Sequence, residues 1–364
     1  MYEMTSFESQ ATQRPLVSVI LSTYNEALCI EKCLGSILAQ NTTSDLTGDF
    51  DIEVLAIDGM SEDGTSEILH RCAERDPRLR VLRNQRRYTP FAFNLGLRHA
   101  RGEYACIFGA HTVYRKDYIA VCLGELLTHD AAACGGRVVT VPSGNALNAR
   151  LAAWAMSHPF GSSRKSFRTQ KEGPVDTVNY PVFRRDLVLA AGGYDEELLR
   201  NQDNDLNQKL RARGHVLWCT WKTQCSYFPK ATLGGLFQYA FKTGYWNALS
   251  HRKNPGAMST RHFVPLAFVL GIAVFSLIVV TAALLLPASY VLPATIPLAG
   301  LLGLYLILGI GASLQVALRE RSLGALWLPL VFLGFHFAYG YGTLCGFARC
   351  FRETLVPTQQ PQRG

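Results

Sequence analysis

Residues Val54 to Thr65 read VLAIDGMSEDGT, and the change of chemistry inside that stretch decides the fold class. A short apolar run breaks into a carboxylate, a glycine and a Ser/Asp/Thr turn, the pattern of a strand whose C-terminal end carries polar groups. In open α/β sheets ligands are met outside the carboxyl ends of the strands, so Asp58 stands where a ligand would be. An earlier run does the same: Val17 to Leu21 delivers Ser22, Thr23, Tyr24, Asn25 and Glu26. Two strand ends, each carrying an acid, outline one pocket. Outward from these, Leu79–Arg83 and Tyr104–Phe108 read as further strands, with helical patterns over Ala27–Gln40, Ser61–Glu74 and Pro90–Ala100 between them. Strands alternating with helices predict an α/β, mostly parallel, doubly wound sheet.

From about Asp117 to Pro229 the pattern is less regular. It includes a polar, basic stretch, Gly161–Gly173, that reads either as a solvated loop or as a lid bringing Arg164, Lys165 or Arg168 onto a phosphate. Near residue 256 the composition shifts. His262–Ala317 contains no acidic or basic residue apart from His262, and Gly324–Cys345 has none but His336. Apolar stretches of about 20 residues per pass read as membrane spans, giving about three, the first two divided at Pro287–Pro293. The expected division is an N-terminal tail 1–14, a domain 15–230 (halves 15–116 and 117–230), an interfacial amphipathic segment 231–256, a membrane region 257–346 and a tail 347–364. In Thr232–Leu249, Leu233, Leu236, Phe237, Ala240, Phe241, Tyr245 and Leu249 recur at helical spacing, as in a helix lying flat on a bilayer or a core helix packed on the sheet. Met1–Arg14 lacks the apolar core of a signal peptide, so the front domain is expected to stay in the cytoplasm. The ten cysteines show no CxxC pair or zinc-finger spacing, as expected of reduced thiols. The net charge of +8 is concentrated: from Leu206 to Leu318 there is no Asp or Glu, while nine Lys and Arg occupy its first half. Beside membrane spans such basicity is drawn to anionic lipid headgroups, which accounts for it without a nucleic-acid partner.

The runs VSVILSTYNEA, AIDGMSEDGT, FNLGLRHARGEY, GGYDEELLRNQDNDL and YFPK, in that order and followed by the Gln238–Trp246 helix, resemble family 2 glycosyltransferases of GT-A fold. The likeness is specifically to membrane-anchored enzymes of succinoglycan-type exopolysaccharide synthesis, and it runs from about Val17 to Trp246. It implies a multi-pass protein of the cell inner membrane with its catalytic domain in the cytoplasm.

The resemblance makes Asp58 the group that binds a nucleotide base, against the bland reading of a helix N-terminal acid. It lines the same cleft with Thr23, Asn25 and Glu26, and turns Asn94 toward the donor, although Asn94 also reads as an ordinary surface amide. Family members end the fourth strand with Asp-x-Asp or Asp-x-His, whose last residue holds a divalent cation. Here the run is Phe108-Gly109-Ala110-His111, so the first carboxylate is missing and His111 remains as the candidate ligand, an imidazole better suited to Mn²⁺ than to Mg²⁺. In Gln202-Asp203-Asn204-Asp205, Asp203 falls on the position of the family's general base, with Asp205 the runner-up. Both also suit the first turn of a helix, where negative charge offsets the macrodipole.

The implied reaction is inverting transfer of a sugar from a nucleotide sugar, with a UDP-hexose the expected donor, to a hydroxyl of a polyprenyl-linked saccharide. Arg184 and Lys242 are candidates to assist at phosphate or acceptor. The absence of a QxxRW signature favours addition of single sugars. Membrane lipids and other polysaccharide-assembly proteins are the expected partners. The rivals are a transferase acting on polyprenyl phosphate itself and a non-catalytic nucleotide-sugar-binding subunit.

Overall fold

Each apolar run named above becomes a strand. The computed structural model describes residues 14–44 and 47–355, so the N-terminal tail up to residue 13 and the C-terminal tail from residue 356 lie outside the described residues. In chain order come β1 (Leu16–Thr23), α1 (Ile30–Leu38), a small hairpin of β2 (Thr43–Ser44) and β3 (Gly48–Asp49), β4 (Asp51–Asp58), α2 (Thr65–Arg75), β5 (Leu79–Arg83), α3 (Thr89–His99) and β6 (Tyr104–Gly109). β5, β4, β1 and β6 lie side by side in that order and run parallel. The register sets Thr23 against Asp58 and Ser22 against Gly109, so these strands end nearly level. Val17, Val19 and Leu21 of β1 face one core and Ile20 the other, all fully buried. A strand covered on both faces has to be largely apolar, and the one polar residue inside this one before its polar C-terminal end, Ser18, is fully buried and donates to Glu53 at 2.7 Å. On the Ile20 face α3 lies unusually close: a Cβ on Gly96 would fall 2.4 Å from the Ile20 side chain.

The second half follows as β7 (Thr112–Tyr114), α4 (Tyr118–Thr128), β8 (Ala133–Thr140), α5 (Leu147–Ser157), α6 (Pro159–Ser162), β9 (Gly173–Pro174), β10 (Val182–Arg184), α7 (Arg185–Ala190), α8 (Gln202–Ala212) and β11 (Leu217–Tyr227). Its strands extend the same nine-stranded sheet beyond β6 in the order β10, β8, β11, β7. Here the directions are mixed. β10 is antiparallel to β6 and β8, while β11 is parallel to β8 and antiparallel to β7.

Four long helices complete the described residues: α9 (Leu233–Lys253), α10 (Val264–Leu285), α11 (Val291–Glu320) and α12 (Leu328–Leu355). Three stretches, Thr260–Leu285, Ala288–Glu320 and Leu323–Thr354, are long and apolar enough to cross a membrane. In the most apolar window of the first two, almost no residue is fully buried (6% and 0%). In the third, 39% of the most apolar window is buried. Its cover is α9, which runs alongside α12 in the same direction: Phe237 meets Gly334, Phe241 meets Gly342, Tyr245 meets Gly346, and Arg252 pairs with Glu353 at 2.9 Å. A Cβ on Gly342 would fall 2.2 Å from the Phe241 carbonyl oxygen, so glycine is what lets the two backbones touch. α12 thereby covers one side of α9, touching the Phe237 ring and the backbone at Phe241 and Tyr245, while these three aromatics stay half-buried. The last turns of α11 return to the front domain, where His158 and Gln315 meet at 3.2 Å.

Candidate active site

A cleft of about 390 Å³ opens where β1 and β6 end, walled on the far side by the start of α8. Tyr24, Glu26, Arg87, His111, Tyr180 and Asp203 contribute its polar wall. Glu26 and His111 come from different loops yet face each other, with 3.5 Å between Oε1 and Nδ1. Burial alone would raise the Glu26 carboxyl, but hydrogen bonds from His111 and the Cys29 thiol outweigh it and hold the group below the usual carboxylate range. The Cys29 thiol is in turn pushed up to about 12 by burial and by its bond to Glu26.

Asp58, Thr23 and Asn25 gather beside the cleft, not in its wall. Asp58 is 5% exposed and its carboxylate accepts from the Ser61 hydroxyl at 2.6 Å. The Thr23 hydroxyl donates to the Ile57 carbonyl at 3.3 Å. Asn25 adopts a left-handed backbone (φ 55°), which suits asparagine. Its N–H donates to Ser61 Oγ at 3.0 Å and its Oδ1 accepts from the Glu62 N–H at 2.9 Å, so the loops after β1 and β4 are stitched together.

On the opposite wall Asp203 occupies the first turn of α8, its Oδ1 accepting the Asn204 N–H at 2.9 Å. Burial raises its pKa, and that hydrogen bond and the nearby Arg200 and Arg168 only partly offset the effect. Asp205 has a different environment: it is 1% exposed, receives Asn254 Nδ2 at 3.0 Å and faces the Lys209 ammonium at 2.7 Å, outside the cleft wall. The turn itself is anchored, since Asn201 Nδ2 donates to Asn247 Oδ1 of α9 at 2.8 Å. The resemblance ranks Asp203 ahead of Asp205, and the fold presents the first to the cleft and spends the second on holding α8 in place.

Three candidates land elsewhere. Arg184 lies at the far end of β10, opposite Tyr104 at the start of β6, and pairs with Asp130 at 2.8 Å, because β10 runs antiparallel and carries it away from the ligand end of the sheet. Lys242 is exposed on α9 and takes no part in the cleft wall. The Asn94 amide is fully engaged: Oδ1 accepts the Tyr194 N–H at 2.9 Å, and Nδ2 donates to the Tyr194 carbonyl at 2.8 Å and to Glu196 at 3.0 Å. It fixes the loop leading to α8. Besides Tyr24, which the first strand end delivers, residues that the sequence did not single out, Arg87 and Tyr180, supply much of the wall. Arg87 stacks over the Tyr24 ring at 6.0 Å, and only its place just after the third strand hinted at it.

Tyr180 also explains the missing carboxylate. A Cβ on Gly109 would fall 2.9 Å from Tyr180 Cε1, so the ring fills the space an acid at 109 would need. Gly109→Asp alone is therefore expected to destabilise by about 1–3 kcal/mol, the usual cost of overpacking, with no gain in cation affinity. Gly109→Asp combined with Tyr180→Ala should bind cation more tightly, at the further stability cost of losing the ring. Thermal unfolding and Mn²⁺ titration check both, and a stable, tighter-binding single variant would refute the steric account.

The profile of "Glycosyl transferase family 2" matches residues 18–189. The chain is 31% identical to the "Succinoglycan biosynthesis protein ExoA" of Rhizobium meliloti (strain 1021) over 258 residues, which are 68% of this chain and 74% of that protein. It is 22% identical to a "Dolichyl N-acetyl-alpha-D-glucosaminyl phosphate 3-beta-D-2,3-diacetamido-2,3-dideoxy-beta-D-glucuronosyltransferase" of Methanococcus voltae over 341 residues, 92% of this chain and 97% of that one. Among solved structures, the mannosyltransferase PcManGT from Pyrobaculum calidifontis, in complex with GDP-Man and Mn²⁺, superposes with a TM-score of 0.57 at 22% identity. That match covers 90% of this chain and 88% of the other.

Proposed function

The chain belongs to glycosyl transferase family 2 and has its GT-A fold, and on that premise we propose that it is an inverting transferase moving a sugar, with a UDP-hexose the expected donor, to a hydroxyl of a lipid-linked saccharide at a membrane. The observation that carries this is Asp203, a cleft carboxylate whose proton affinity burial has raised, set across from the Glu26–His111 pair. A general base works best when its pKa approaches the working pH, and burial moves Asp203 that way. Asp203 would take the acceptor hydroxyl's proton as that oxygen attacks the anomeric carbon from the side opposite the leaving diphosphate. Asp58, Thr23 and Asn25 would meet the nucleotide beside the cleft, with Asp58 freed from Ser61 to accept a base N–H.

Glu26 and His111 fit a divalent cation of the kind that phosphates help to hold. Among the described residues no group of three or more His, Cys, Asp or Glu could cage a metal; one carboxylate and one imidazole suit an ion that takes its remaining oxygens from a nucleotide diphosphate and water. Such an ion supplies charge neutralisation for a departing diphosphate.

The membrane helices agree with a lipid-borne acceptor, as does the Methanococcus voltae relative, which is named for a dolichyl-phosphate-linked sugar. Confining enzyme and acceptor to one surface raises their encounter and orientation. In this reading α10 and α11 form a hairpin across the bilayer, returning at Gln315 to the front domain, and α12 stays on the front domain's side along α9. Reporter fusions after Arg321 and after Thr354 should both report the cytoplasm, which also keeps Arg349 and Arg352 on the favoured side. A periplasmic signal after Arg321 would overturn the hairpin, and one after Thr354 would make α12 a third crossing.

The decisive experiment for the activity is transfer by the purified protein in membranes, with radiolabelled UDP-hexose and extracted lipid acceptor. Label on the saccharide of the lipid supports the reading. Label on polyprenyl phosphate itself, or donor binding without transfer, refutes it in favour of one of the two rivals.

A further inference from the structure

Between Asp203 and α9 lie two arginines that no reaction step above uses. The Arg168 guanidinium sits 4.1 Å from the Phe167 ring, 5.0 Å from Tyr227 and 5.9 Å from Tyr239. Arg200 stacks on the same Tyr239 at 4.8 Å. No described carboxylate lies within ion-pair distance of either one. Arg168 Nε is shut away from solvent with no hydrogen-bond partner among the described residues. The Tyr239 and Tyr227 hydroxyls lie within hydrogen-bonding reach of the Arg168 guanidinium, but neither they nor the aromatic faces satisfy Nε. Two like charges converging on one ring, one with a sealed and unused donor, make a site short of an anion.

The surroundings narrow which anion. Tyr227 bridges the pair to the cleft, its ring 5.4 Å from that of His111. Tyr239 belongs to α9, the element that leads into the apolar helices. Burial would raise the Tyr239 hydroxyl, yet Arg168 and Arg200 together pull it below its ordinary range, a sign of how positive this corner is. A single phosphate suits one guanidinium; a diphosphate has oxygens enough for both, and Arg forks bind phosphate oxygens bidentately.

We propose that Arg168 and Arg200 form a diphosphate-binding pair between the catalytic cleft and α9. The proposal rests on the transferase reading above, which admits two sources of this chemistry, the nucleotide diphosphate released from the donor and the diphosphate of a lipid-linked acceptor.

The full-length protein in phosphatidylcholine nanodiscs separates them. One arm compares binding of UDP with UMP in the presence of Mn²⁺, and the other compares polyprenyl diphosphate with polyprenol incorporated in the nanodisc. Arg168→Gln and Arg200→Gln should each weaken one diphosphate probe about tenfold or more, leaving its monophosphate or alcohol counterpart unchanged. Arg168→Lys, which keeps charge without the fork, should recover part of the loss. Loss on UDP assigns the pair to the nucleotide, and loss on polyprenyl diphosphate assigns it to the acceptor. If variants with wild-type thermal midpoints bind both diphosphates as wild type does, or lose monophosphate and alcohol equally, the pair is only a stacked structural element and the proposal is overturned. Wild-type protein that binds neither diphosphate overturns it as well. Transfer assayed separately on the wild type keeps the two questions apart, because diphosphate binding through these arginines without sugar transfer would sink the transferase reading alone.

Discussion

Asp203→Asn is expected to leave a folded, donor-binding protein that transfers sugar about 10²- to 10⁴-fold more slowly, the usual cost of losing a general base. Asparagine is nearly isosteric and its Oδ1 can still accept the Asn204 N–H, so the first turn of α8 keeps its hydrogen bond. The variant should also melt higher than the wild type. Burial raises the Asp203 pKa in the folded chain, so folding is favoured with the proton on, and that contribution is lost as pH rises through the raised value. Above the ordinary aspartate range the wild-type group therefore weighs on the fold, and an amide removes that burden. The same shift places the acid limb of the rate–pH profile above the ordinary aspartate range, because the base must be free of its proton to work. Asp205→Asn should show the reverse pattern, with smaller kinetic change and lower stability by about 1–3 kcal/mol, since it weakens the buried contacts to Lys209 and Asn254. Near wild-type transfer by Asp203→Asn alongside an inactive Asp205→Asn would mean that the base has been assigned to the wrong carboxylate. If both stay active, the catalytic reading of α8 fails.

The contrast between those two acids shows what a sequence of this kind discloses. The parallel half of the sheet was readable because strands buried on both faces have to be nearly pure Val, Ile, Leu and Ala, and the polar residues that end them then announce the ligand side. What eluded the sequence depends on partners far along the chain. Gly109 reads as a lost ligand until Tyr180 is seen filling its space. Asn94 reads as a ligand contact until the Tyr194 backbone is found to occupy both ends of its amide. Arg184 looks available because strand direction in the second half cannot be read from its irregular pattern, and direction alone sends it to the wrong end of the sheet. The stripe on α9 is ambiguous for a different reason. A lipid surface and a protein core demand the same apolar periodicity, and the contact that α9 makes with the glycines of α12 joins residues far apart in the chain, which no local pattern announces.

Stripping divalent cations should cost about 10²-fold or more in transfer, since neutralising a departing diphosphate contributes several kcal/mol and about 1.4 kcal/mol corresponds to tenfold. Mn²⁺ should restore activity at least as well as Mg²⁺. Of the two side chains facing each other at 3.5 Å, one is an imidazole, which Mn²⁺ accepts more readily than Mg²⁺ does. With Tyr180 packed against Gly109, the protein has no room for a carboxylate there to redress the balance. His111→Asp should therefore shift preference toward Mg²⁺, and His111→Ala should weaken Mn²⁺ binding in the presence of UDP. Glu26→Gln separates a ligand from a mere tether. If Glu26 only orients the imidazole, the amide should preserve most Mn²⁺ affinity, whereas if its charge holds the ion, affinity should fall as far as it does in His111→Ala. Mn²⁺ titration followed by electron paramagnetic resonance reads these affinities without relying on turnover. Full activity in excess EDTA, or His111→Ala and Glu26→Gln variants that bind Mn²⁺ with UDP as tightly as wild type, would remove the cation from this pair altogether.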